Sequence, residues 1–196
     1  MKTTPRKRSK KQTSSTSETP LVRITTALKK RLPQLRFFAI VVVVMGAYYT
    51  LTGTDAFSKQ FLPAYLTVIA SVTSGVLSLL GFGTVTSGSV VSSTAFSMNI
   101  AYGCDALEPT FLFMVVVVAF PSEWKKKILG ALIGSIVLYA INIIRLVTLF
   151  WTGTYKREYF EVLHIEIWQA LFIILALALF VVWVSLTERT AHREAV

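Results

Sequence analysis

The sequence predicts an all-α polytopic membrane protein with about four transmembrane helices. An amphipathic helix, lying in the outer leaflet or adding a fifth span, and a short external β-hairpin complete it. Three observations carry this expectation. The 196 residues are 54% hydrophobic with mean hydropathy +0.61, too apolar for an ordinary soluble domain. Four apolar runs are each long enough to cross ~30 Å of hydrocarbon. Positive charge is confined largely to places where it can orient those runs.

The N-terminal 35 residues read as a disordered basic cytoplasmic tail. Residues 1–36 hold 11 of the 20 Lys and Arg against one acid, Glu18, and are rich in Ser and Thr as far as Pro20. The net charge of +10 would suit nucleic acid if it were spread over a folded face. Gathered in a tail before an apolar run, it suits anionic membrane lipid, and no nucleic-acid partner is expected. The apolar run begins too late for a cleavable signal peptide.

The first span is expected at 36–53, "RFFAIVVVVMGAYYTLTG". Region 61–81, "FLPAYLTVIASVTSGVLSLLG", is weaker. Thr67, Ser71, Ser74 and Ser78 form a polar stripe at three- and four-residue spacing, opposite Leu62, Leu66, Ile69 and Val76. Residues 84–100 alternate, carry Ser87-Gly88 and read as a β-hairpin. The second span is expected at 104–122, the third at 128–151 and the fourth at 159–186, followed by a cytoplasmic tail, 187–196. Lys125, Lys126 and Lys127 place the loop between the second and third spans inside, as the basic tail places the N-terminus inside. Zero net crossings between 54 and 103 satisfies both, which leaves that region outside. Lys156 and Arg157 fall in an outer loop, a mild violation of the same rule.

This topology brings three reactive side chains to one shallow layer. Cys104 starts the second span. Arg145 lies six residues before the outer end of the third, and His164 about five residues into the fourth. At 1.5 Å per residue the last two lie ~8–9 Å below the outer boundary. An arginine within a span costs at least ~2.5 kcal/mol on insertion scales, so it calls for a function. Asn142 shares its helical face. Glu161 and Trp168 share a stripe with His164, and Glu161 is a candidate to orient the imidazole. The chemistry these permit is acyl transfer. A thiolate attacks a carbonyl, an imidazole moves the proton, and a guanidinium stabilises the oxyanion.

The single cysteine excludes an internal disulfide, a CxxC redox site and a cysteine-rich zinc site. Two histidines without HExxH argue against a metalloprotease, and no GxSxG is present. No metal and no cofactor are expected.

The stretch from "GCDALEPTFLFM" through "INIIRLV" to "HIEIWQ" resembles the core of the exosortase/archaeosortase family, most closely its compact H-type members. The family carries a cysteine motif at a helix start, Asn-x-x-Arg in the next span and a histidine in the one after. Cys104, Asn142 with Arg145, and His164 match in order, and the resemblance covers about residues 60–185. Many members follow the cysteine with a small polar residue and glycine, where this chain has Asp105 and Ala106. The resemblance makes 36–186 an exosortase-like membrane domain. It implies a membrane cysteine protease or transpeptidase acting through a thioester at the outer, periplasmic face of the inner (plasma) membrane. The implied substrates are secreted proteins bearing a C-terminal motif, a transmembrane helix and a basic cluster.

The competing reading is a small transporter or structural membrane protein with Arg145 and His164 on an ion or proton path. Such a path would need polar residues through the whole bilayer. The cytoplasmic halves "LFMVVVVAF", "ILGALIGSIVLY" and "LFIILALALFVVW" contain no charge.

Overall fold

A computed structural model describes the backbone from Pro20 to Glu194 and side chains from Arg31 to Arg189. The chain divides into Met1–Arg36 and Phe37–Val196. Helix α1 runs from Pro20 to Thr52, so residues 20–35, expected in a disordered tail, are helical; the remainder of that tail, 1–19, lies outside the described residues. A five-residue π-turn, Phe57–Phe61, leads into α2, Leu62–Leu79, with Pro63 in its first turn, where no helical N–H is needed. Three short strands follow, then α3 (Leu107–Ala119), α4 (Trp124–Tyr155) and α5 (Trp168–Glu194). The last 3₁₀ and π turns, Arg157–Tyr159 and Val162–Ile167, link α4 to α5.

Four helical stretches are long and apolar enough to cross a membrane: Arg31–Thr52, Phe57–Leu79, Trp124–Tyr155 and Arg157–Arg189. This is a multi-pass membrane protein. Its outer faces would be untenable in water: Val42, Val43, Ile136, Ile173 and Leu177 are each more than 60% exposed. Hydroxyls on these helices return to their own backbone. Thr67 donates to Pro63 O, Ser135 to Ala131 O and Ser185 to Val181 O, as a medium without water requires.

Membership of the four differs from the sequence expectation. The region 104–122 contains only the 13-residue α3, ~20 Å long, while 61–81 belongs to a stretch long enough to span. Pro121 is the cause at one end. It holds Phe120 extended (ψ 138°), which terminates α3. At the other end Gly103 and Ala106 take positive φ, so the helix starts three residues after the cysteine. By contrast α4 has 32 residues, ~48 Å, longer than the expected 128–151. The fourth helix continues to Glu194, into the stretch expected as a tail.

Contacts give the helix directions. Trp183 Nε1 donates to Lys126 O near the start of α4, while His164 and Arg145 both approach Cys104, so α5 is antiparallel to α4. Helix α2 runs the same way as the second half of α4. The Tyr65 and Tyr139 hydroxyls bond at 3.1 Å, and further along Phe82 meets the Phe150 and Tyr155 rings. The sheet sits at the same end, with Phe96 against Phe150 and Phe160. Residues 62–99 therefore rise alongside the Tyr139–Tyr155 half of α4, at the end away from Lys125–Lys127. The hydroxyl stripe of α2 is split. Ser74 is buried against Thr84 (2.9 Å), while Thr67, Ser71 and Ser78 are exposed.

The expected hairpin is a three-stranded antiparallel meander: β1 (Val85–Ser87), β2 (Val90–Ser92) and β3 (Ser97–Asn99), in that order. Gly88, at φ +58°, turns the first corner. The second corner forms because the Ser93 hydroxyl accepts from the amides of Ala95 and Phe96, an interaction that breaks the long second arm in two. Val91, Met98 and Ile100 point from one face into a core with Leu66, Ile69, Leu77, Leu146, Leu149 and Phe150.

A second core joins α3, α4 and α5 through Phe113, Val117, Leu138 and Phe172. Here α4 comes close by means of glycine. A Cβ at Gly130 would overlap the Trp183 indole and one at Gly134 the Phe113 ring. Gly134→Ala is therefore expected to destabilise the protein by about 1–3 kcal/mol through overpacking. The midpoint of thermal unfolding in detergent should fall, and Phe113→Leu should restore part of it.

Candidate active site

The segment Ile100–Ala106 carries the site. Its backbone is forced into a sharp turn: Cys104 N–H bonds Ala101 O at 3.0 Å, with Gly103 at φ +91° and Ala106 at φ +61° on either side. The turn lifts the thiol off the start of α3. Left-handed backbone costs roughly 1–2 kcal/mol for a residue with a Cβ. The buried methyl of Ala106 packs in the second core, which offsets part of that cost. Glycine, common at this position in the family the sequence resembles, would adopt the same φ freely.

The other two side chains arrive from α4 and from the turn before α5. Cys104 Sγ lies 2.9 Å from His164 Nε2. Arg145 Nη2 points at the same sulfur from 3.8 Å. His164 sits within a π-helical turn, Val162–Ile167, and its ring leans on Phe160 (centroids 5.7 Å apart). Such turns rotate a side chain off the regular helical position and recur at functional sites. Arg145 is 7% exposed and makes no ion pair among the described residues.

The surrounding polar groups hold the turn without saturating it. Tyr65 Oη donates to Asp105 O at 2.8 Å, and the Leu107 amide donates to Asp105 Oδ1 at 3.2 Å. Asp105 Oδ2, both polar atoms of the Asn142 amide, Thr110 Oγ1 and Arg145 Nε are buried without a protein partner. Each such group costs about 1–3 kcal/mol, so this layer is not arranged for stability. Tyr49 donates to Glu108, and the Tyr48 and Tyr102 hydroxyls meet at 3.2 Å, which ties α1 to the cysteine loop.

Of the residues singled out by sequence, Cys104, Arg145 and His164 come together. Asn142 is fully buried one turn before Arg145. Glu161 lines the cavity beside His164, yet no hydrogen bond joins the two. Trp168 is buried in the first core, packed with α2 and α4. Sequence reasoning did not single out Tyr65 or Tyr139. A tyrosine hydroxyl on an otherwise apolar helix face was the available signal.

Two cavities meet at the thiol. One, about 590 Å³, is lined by β3, Arg157, Phe160, Glu161 and His164. The other, about 480 Å³, lies among α3, α4 and α5 and is lined by Glu108, Pro109, Leu112, Arg145, Gln169 and Ile173. Cys104 and His164 border both.

Burial pushes the Cys104 thiol up; the Arg145 guanidinium pulls it down, and Asp105 pushes it up again. The net direction is upward, so the resting sulfur is a thiol at neutral pH, and thiolate accumulates only as pH rises through that elevated value. Alkylation of this sole cysteine by iodoacetamide in detergent should therefore still be accelerating above pH ~8.5, the ordinary thiol range. Arg145→Ala should move the profile further up. A rate already flat at pH 7 would instead indicate a preformed thiolate–imidazolium pair.

A family model described as Transmembrane exosortase (Exosortase_EpsH) matches residues 21–182. No curated protein and no solved structure shows a match to the chain. The matched region takes in the cysteine turn, the Asn142–Arg145 face and the histidine turn as well as the helices that hold them. On that extent, the chain belongs to the exosortase family, whose members are membrane transpeptidases of protein sorting.

Proposed function

We propose that this chain is a cysteine transpeptidase that cleaves the C-terminal sorting signal of secreted proteins at the outer face of the inner membrane. The observation that carries the reading is the 2.9 Å approach of Cys104 Sγ to His164 Nε2, with Arg145 turned to the same sulfur. In the first step His164 Nε2 takes the Cys104 proton as Sγ bonds to the scissile carbonyl carbon. The carbonyl oxygen becomes an oxyanion within reach of the Arg145 guanidinium. The carbon–nitrogen bond then breaks, His164 returns its proton to the leaving amine, and a thioester remains. Water or an amine attacks the thioester and gives its proton to His164. The thiolate departs and is reprotonated.

The substrate's own helix would confine its scissile bond to the plane of Cys104, and its basic cluster would keep the far end in the cytoplasm. The test is mass spectrometry of C-termini of secreted proteins in the host with and without this chain. Proteins ending in a motif, a helix and a basic cluster should lose that segment only when the chain is present. If no C-terminus differs, the processing reading fails and the transporter reading takes its place.

A further inference from the structure

The proposed function leaves open how the substrate polypeptide lies against the cysteine. We infer that the free edge of β3 binds the substrate's extended segment on the acyl side of the scissile bond, as a fourth strand; this rests on the transpeptidase reading.

Strand β3 pairs only with β2, so one edge is open. The register identifies the groups on it. Ser93 N–H bonds Phe96 O and Ile100 N–H bonds Ser89 O, which turns the backbone groups of Phe96, Met98 and Ile100 toward β2. By alternation the N–H and C=O groups of Ser97 and Asn99 face away from it. Among the described residues, nothing in the protein hydrogen-bonds them on that side. Ser97, Met98 and Asn99 all border the 590 Å³ cavity, although their side chains alternate between two faces of the sheet. A cavity touched by both faces runs along the strand's edge, and the same cavity is lined by Cys104 and His164.

An unpaired strand edge leading into a nucleophile is a template for an extended peptide. Main-chain bonds supply affinity, and alternate side chains supply specificity. The stretch from Phe96 to Ile100 accommodates about four residues at ~3.3 Å each. Polarity assigns the direction. The other cavity at the thiol adds Pro109, Leu112, Phe172 and Ile173, from two apolar helices, to Glu108 and Gln169, so its apolar wall suits the leaving, membrane-bound part. The strand-edge cavity, with Arg157 and Glu161 opposite, suits the secreted part. Arg157 and Glu161 would then meet the side chains of the motif.

Proline at an outward-facing position removes the edge donor and leaves the β2–β3 ladder intact. Asn99→Pro is the test, and Thr86→Pro is its control, because Thr86 is the matching outward position at the opposite edge, on β1. The substrates are those whose C-terminal segment is lost in the host and retained with Cys104→Ala. Asn99→Pro should slow their processing about ten-fold or more. Thr86→Pro should stay within about two-fold of wild type, as should Cys104 alkylation in both. Independently, Ser97→Cys in a Cys104→Ala chain should form disulfides with single cysteines placed along the substrate, strongest at every second residue before the helix. Wild-type processing by Asn99→Pro, or cross-linking without two-residue alternation, would overturn the strand-edge assignment. If no protein retains its segment with Cys104→Ala, the transpeptidase reading itself has failed, and this inference goes with it.

Discussion

Cys104→Ala should abolish processing while the protein remains in the membrane at its normal level. Removing a nucleophile that acts jointly with its base costs about 10⁴-fold or more, because neither partner works alone. The variant separates this role from packing. Cys104 borders two cavities and belongs to neither apolar core, so its loss should not move the unfolding midpoint. A hydroxylamine-sensitive adduct of enzyme and substrate should appear with wild type and vanish with the variant. Cys104→Ser should also fall far below wild type, since a hydroxyl is much harder to ionise than a thiol and His164 is the base within hydrogen-bond reach of it. Processing at an undiminished rate by Cys104→Ala would end the cysteine mechanism.

Arg145→Ala should lose activity and gain stability. The activity loss is that of an oxyanion donor, about 10²–10³ in kcat. The stability gain follows from what the residue costs. It is buried, carries no ion pair among the described residues and leaves Nε without a partner. A cation held so within a spanning segment is retained at a cost of at least ~2.5 kcal/mol. Opposite signs in the two measurements distinguish a functional arginine from a structural one, whose removal lowers both. Arg145→Lys should rescue poorly, since a point charge cannot reproduce the planar fork that points at the sulfur and would meet the proposed oxyanion beside it. Unfolding in detergent and single-turnover processing are the two readouts.

Much of the architecture could be read from the chain because hydropathy and loop charge are global signals. The spacing of Cys104, Arg145 and His164 along three apolar runs put them at one level, and the fold brings them within hydrogen-bond reach. What escaped was decided by local backbone chemistry. Composition cannot distinguish 19 apolar residues from 13, and α3 was cut short by Pro121 acting on Phe120 and by the left-handed Ala106. The meander was hidden because Ser93, which makes the extra corner, looks like one more alternating hydroxyl. The π-turn that carries His164 has no sequence period to betray it. The direction of α2 was also invisible to hydropathy; it rests on Tyr65, Tyr139 and Phe82.

The second cavity at Cys104 is walled in part by Pro109 and Leu112 of α3 and Phe172 and Ile173 of α5, and that apolar wall has a pharmacological consequence. A small electrophile aimed at the thiol is expected to arrive from the lipid between α3 and α5, without crossing the strand-edge cavity. Its potency then follows its concentration in the bilayer and not its concentration in the medium. Each methylene added to an acyl tail is worth ~0.8 kcal/mol of partitioning, about a four-fold enrichment. A chloroacetamide series of increasing tail length should therefore inactivate the enzyme faster with every added carbon at fixed aqueous dose. The same series expressed per mole of lipid should collapse onto one rate.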